Sequence, residues 1–79
     1  PPVYPEQSRR LGEQGLVVAR VLIGADGRPK DFAIKRSSGY VRLDKVVGET
    51  VMRWRYVPGM RNGVAEAMWY DVPLKFSLK

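Results

Sequence analysis

Apolar and polar positions along the chain sort into five segments. Residues 16 to 23 are almost continuously apolar, with Val17, Ala19, Val21 and Ile23 on one side and Leu16, Val18 and Leu22 on the other around Arg20. A strand apolar on both faces belongs at the centre of a sheet. Residues 29 to 37 alternate, with Phe32 and Ile34 facing inward and Ala33 and Lys35 outward. Pro29 stands at the start of this strand, where proline is tolerated. Between the two strands, Ala25-Asp26-Gly27-Arg28 predicts a hairpin with the positive φ angles of a type I′ turn. Leu43, Val46, Val47, Val51 and Trp54 then recur at spacings of three and four, which predicts an amphipathic helix over 42 to 55. Asp44 near its start and Arg53 and Arg55 near its end complement the helix dipole, and Pro58-Gly59 stops it.

A shorter helix is predicted over 5 to 11, with Pro5 at its first position, Glu6 in its first turn and Gly12 as its cap. Tyr4, Ser8 and Leu11 form its inner stripe. After a turn at Arg61-Asn62-Gly63, residues 64 to 79 read as one long strand. Met68, Tyr70, Val72, Leu74, Phe76 and Leu78 share one face; Ala67, Trp69, Asp71, Pro73 and Lys75 share the other. The order helix, strand, strand, helix, strand predicts an α+β domain. A right-handed crossover sets the third strand beyond the first, giving a three-stranded antiparallel sheet of order 2-1-3 with both helices on one face. The third strand is then an edge, where a proline inside a strand belongs. If Pro73 faces the open side, the backbone groups of Trp69, Asp71, Lys75 and Ser77 face it too, while even-numbered residues pair with the first strand. Such an edge can accept a strand from another chain.

Composition narrows the chemistry. Seventy-nine residues make one domain with one thin core. Residues 1 to 4 read as the end of a proline-rich linker and 5 to 79 as the domain. The start Pro1-Pro2, without a methionine, reads as a fragment or a processed product. No apolar run approaches 18 residues, so no segment reads as a membrane span. There is no Cys and no His, which removes the usual zinc and copper ligands, thiol chemistry and imidazole catalysis. The carboxylates are scattered, and Ser37-Ser38 has no base beside it in sequence. The reading is therefore a binding domain with no cofactor, no metal and no catalytic residues. The net charge of +6 fits a solvated basic face or an anionic partner. A nucleic-acid-binding module shares that charge, but no aromatic run of the RNA-binding kind and no Gly-x-x-Gly clamp appears.

Tyr4-Pro5, the strand opened by Gly15, Asp26-Gly27-Arg28, Leu43-Asp44, the run from Arg53 through Trp54, Arg55, Tyr56, Val57 and Pro58 to Gly59, and the closing Val72-Pro73-Leu74-Lys75-Phe76-Ser77-Leu78 together resemble the TonB C-terminal domain. The resemblance covers nearly the whole chain. It implies a periplasmic domain, tethered by a proline-rich spacer to an inner-membrane anchor, that works with ExbB and ExbD to pass proton-motive energy to outer-membrane transporters. It also implies that a transporter's N-terminal TonB box adds as a strand beside the last strand. Carried onto this sequence, the partner-binding residues are Met68, Trp69, Tyr70, Asp71, Val72, Pro73, Leu74, Lys75 and Phe76, with Tyr4 and Pro5 nearby. Pro1-Pro2-Val3 departs from the more polar lead-in of the best-known members. Leu16, Val18 and Leu22 make the outer sheet face more apolar than is usual there, and a second copy is one expected cover for it. Related readings are a TolA-like domain and a TonB-like module of a sensor protein.

Overall fold

In a computed structural model that describes residues 3–78, the elements run α1 (Glu6–Leu11), β1 (Gly15–Ile23), β2 (Pro29–Arg36), α2 (Val41–Val51), β3 (Gly59–Arg61), β4 (Val64–Glu66) and β5 (Met68–Phe76). The expected linker residues Pro1-Pro2 and the terminal Lys79 lie outside the described residues. The main sheet has the order β2-β1-β5 with both neighbours of β1 antiparallel to it. This is the expected 2-1-3 arrangement, with β5 as the expected third strand. Val17, Ala19, Val21 and Ile23 of β1 are buried together with Leu43, Val47 and Val51 of α2 and Leu74 and Phe76 of β5. Period two on the strands and period 3.6 on the helix thus converge on one layer between sheet and helix.

Helix α1 is anchored less by its own stripe than by its ends. Its predicted inner residue Leu11 is 60% exposed, whereas Ser8 is fully buried. Tyr4, just before the helix, packs its ring edge-on against Phe76 at 5.2 Å and donates its hydroxyl to the Glu13 carbonyl. Gly12 caps the helix at φ 71°, with its amide bonded to the Arg9 carbonyl. Pro5 lines a surface hollow together with Arg42, Lys45, Val46 and Glu49 of α2, and both helices share one face of the sheet. Arg42 Nη2 pairs with Glu13 Oε2 at 2.8 Å. The buried Ser8 hydroxyl, which has no well-aligned partner of its own, lies close enough to join Arg42 in holding the Glu13 carboxyl below its usual range.

The segment before α2 is held by one carboxylate. Asp44 accepts the Ser37 hydroxyl, the Ser38 hydroxyl at 2.8 Å and the Ser38 amide at 3.0 Å. Burial alone would raise its pKa; these donors outweigh burial and lower it. The two serines are therefore structural.

Three local expectations are corrected. The second helix ends at Val51, not at 55. Tyr56 causes the early stop: its amide donates to the Gly27 carbonyl at 2.8 Å, and its hydroxyl to the Val51 carbonyl at 2.9 Å. Those two bonds pull the chain off the helix axis toward the β1–β2 turn. Trp54, expected on the helix, instead packs on the core from the extended segment that follows. Second, the β1–β2 turn is not type I′. Only Gly27 in it has positive φ (80°), and the bonds Gly27 N to Gly24 O and Gly24 N to Arg28 O describe a three-residue loop with a glycine bulge. Third, the last strand is not continuous from residue 64. Asn62 and Gly63 both take positive φ, 52° and 79°, so the type I′ geometry sits here and closes a separate β3–β4 hairpin with Arg61 opposite Val64.

Gly27 is the tightest of these joints. A Cβ there would stand 2.3 Å from the Tyr56 carbonyl oxygen, on a backbone already left-handed. Gly27→Ala should cost about 2 kcal/mol or more, read as a melting temperature lowered by about 8 °C or more; an unchanged melting temperature would contradict this account. Glu13, Asp26 and Asp44 are each held below the ordinary carboxylate range in the folded state. Their contribution is present above the ordinary carboxylate range and lost as pH falls through the depressed folded values. With no histidine in the chain, the urea midpoint should be flat from about pH 8 to 5.5 and should fall steadily below about pH 4.5.

Candidate functional site

A nine-residue strand pairs with β1 without a single register shift, from Gly15 opposite Phe76 to Ile23 opposite Met68. Pro73 stands opposite Val18. Lacking an N–H, it cannot complete a hydrogen-bonded pair, so Val18–Pro73 is a pair of the other kind. Strict alternation then places the ladder bonds at the even-numbered residues of β5. The backbone groups of Trp69, Asp71, Pro73 and Lys75 are turned away from β1, toward an edge that no other strand covers.

The sheet has a second edge, β2, and it is a poorer template. Its pairing with β1 is shifted near both ends, between Val18 and Ala19 and between Leu22 and Ile23. The groups of Val21 are committed to β5, so the backbone of its other neighbour, Phe32, faces outward. That amide is taken: it donates to Asp31 Oδ1 at 2.8 Å. Bulges and a self-satisfied amide are ways in which native sheets blunt an edge. The longer, unshifted edge is β5.

The side chains of β5 divide between two faces. Trp69, Asp71, Pro73 and Lys75 lie on the outer, solvent side. Asp71 Oδ2 receives Lys35 Nζ at 2.6 Å, and the Arg20 guanidinium lies 5.5 Å from the Trp69 ring centroid. The Lys35–Asp71 pair crosses β1, and Leu16, Val18 and Leu22 are each half-buried within this single chain. Met68, Tyr70, Val72, Leu74 and Phe76 face the helices. Burial fades along this row: Leu74 and Phe76 are buried, Val72 is half-buried and Tyr70 is 39% exposed. The cause is that α2 lies chiefly over β1 and β2 and meets β5 less. Tyr4 reaches β5 at its Phe76 end, while Pro5 lines the surface hollow beside α2.

Where α2 leaves β5 uncovered, a cavity of about 500 Å³ opens between Tyr70 and Val72 on one side and Tyr56, Val57 and Met60 on the other, with Ile23 beside them. Burial raises the Tyr56 phenol above its ordinary range. Sequence reading missed this wall. Its signal was present in Val57 and Met60, two apolar residues flanking Pro58-Gly59 and fitting neither a helical nor a strand period. Among the described residues, no group of three or more metal-binding side chains gathers, and no helix is long and apolar enough to cross a membrane.

A family model for the Gram-negative bacterial TonB protein C-terminal matches residues 1–78. Protein tonB2 of Pseudomonas aeruginosa is 39% identical over 77 residues, 98% of this chain and 28% of that protein. Protein TonB of Vibrio cholerae is 30% identical over 78 residues, 99% of this chain and 32% of that protein. Protein TonB of Neisseria gonorrhoeae is 32% identical over 77 residues, 98% of this chain and 25% of that protein. The chain thus spans a quarter to a third of the length of these relatives. With the order α-β-β-α-β, the β2-β1-β5 sheet and a family match over almost every residue, the chain belongs to the TonB C-terminal domain family.

Proposed function

We propose that this domain is the periplasmic, non-enzymatic end of an inner-membrane-anchored energy transducer. It captures the TonB box of an outer-membrane transporter as an added strand along β5. Residues outside this chain would couple it to ExbB and ExbD, and proton-motive energy would reach the transporter as force along the shared ladder. The observation that carries this reading is the unshifted nine-residue edge of β5 with Pro73 at its middle. The partner-binding residues are Met68 to Phe76, with Tyr4 and Pro5 at the end where the chain enters.

The energetics suit intermittent contact. Trp69, Asp71 and Lys75 offer donors and carbonyls on the open side, and Pro73 a carbonyl alone. A handful of such bonds at a net ~1 kcal/mol each, less the cost of ordering the guest, gives weak, reversible binding. The missing donor also fixes register, since a guest carbonyl placed opposite Pro73 would go unpaired.

Titrating the isotope-labelled domain with TonB-box peptides should shift the amides of residues 68 to 76 first. Asp71→Pro and Lys75→Pro each remove one outward donor without touching the β1 ladder. Each should weaken binding about fivefold or more while the domain stays folded. Val72→Pro removes an inward donor and should unfold the domain instead. Peptide shifts that centre on β2, or proline variants that bind as well as the parent, would refute strand addition at β5.

A further inference from the structure

We propose that the cavity between β5 and the Tyr56–Met60 segment is a side-chain socket that selects a large aliphatic residue on the helix-facing side of the guest strand. This rests on strand addition at β5 and adds what that reading lacks, a source of sequence preference. Backbone bonds along an edge accept any sequence; preference comes from pockets that take alternate side chains.

The pairing parity puts alternate guest side chains on the socket's face of the sheet. Guest residues opposite Trp69, Asp71 and Lys75 exchange the backbone bonds, and their side chains point to the outer face. Guest residues beside Tyr70 and Val72 point to the helix side, in the pairs whose side chains approach most closely when the strands run antiparallel. On that side the cavity is bounded by Tyr70 and Val72 of β5 and Ile23 of β1, with Val57 and Met60 also lining it. Val57 is 88%, Met60 58% and Tyr70 39% exposed. Three exposed apolar side chains thus surround one concavity in a chain that is 28% charged. No charged residue lines it, so a charged or small polar guest residue would lose its water without gaining a partner. The Tyr70 hydroxyl is engaged with the Met68 sulfur at 3.7 Å. The occupant is therefore Leu, Ile, Met or Val. The outer-face positions of the guest, beside Trp69, Asp71 and Lys75, are free to be polar.

The wall is also fixed in place. Gly59 allows its close approach, since a Cβ there would stand 2.5 Å from both the Met68 sulfur and the Tyr70 hydroxyl oxygen. The Tyr56 amide bond to Gly27 anchors the other end. A preformed wall spares the ordering cost of shaping a pocket on binding.

The test uses TonB-box peptides of Pseudomonas aeruginosa outer-membrane transporters. Each is made with its apolar residues changed to serine in one alternating phase or in the other, and affinities are read from the amide shifts of β5. Serine in the helix-facing phase should weaken binding about tenfold, and in the opposite phase less than about twofold. Met60→Glu and, as a second variant, Val57→Asp alter exposed side chains and leave the fold intact. Each should weaken the unmodified peptide about tenfold and shrink the difference between phases. Equal losses in the two phases, or socket variants that bind like the parent while β5 amides still shift, would overturn the socket and leave strand addition standing. No β5 shift with any peptide would overturn both.

Discussion

The β1–β5 ladder is the constraint on which everything else here turns, and its register is set where Pro73 meets Val18. A pair that cannot be hydrogen-bonded fixes the parity of every pair beside it. Sliding β5 by one residue would put Leu74 and Phe76 on the solvent side and drive Asp71 and Lys75 into the core. The buried layer of β1, α2 and β5 side chains is thus the energetic reason for the register, and the proline is its chemical marker. The same parity decides which amides are spare, so the stability of the core and the availability of the edge have a common origin.

The fold was legible because its signals were long. Nine apolar-rich residues of β1, the spacing of Leu43, Val47 and Val51, and the even-odd division of β5 each pointed to one element and one face. The antiparallel order followed from chain connectivity and the right-handed crossover. The open edge was legible for the same reason: proline reports directly on hydrogen bonding, which most residues do not.

What escaped was set by contacts between segments distant in sequence. The periodicity of α2 extends through Trp54, yet the helix stops at Val51 because Tyr56 is tied to Gly27 across the molecule. Asp26-Gly27 and Asn62-Gly63 carry similar turn chemistry, and only the second adopts paired positive φ angles. The first is drawn into a bulge by the bond it makes to Tyr56. Leu11 looked like an inner residue from its spacing, but a six-residue helix has one turn to spare and is placed by Tyr4, Ser8 and Glu13 instead. Most of the cavity wall could not be read as an element, since residues 54 to 58 belong to neither helix nor strand and Met60 lies on the three-residue β3.

The Asp31 carboxylate on the Phe32 amide has an effect larger than one hydrogen bond. A sheet with two usable rims can join copies head to tail, and that arrangement has no natural end. Here one rim carries register shifts and an amide tied to its own side chain, so it is the poorer surface for a chain of molecules to extend through. Pairing of two copies through β5 alone would form a two-fold pair, which closes on itself. That asymmetry leaves β5 as the longer, unshifted margin of the sheet.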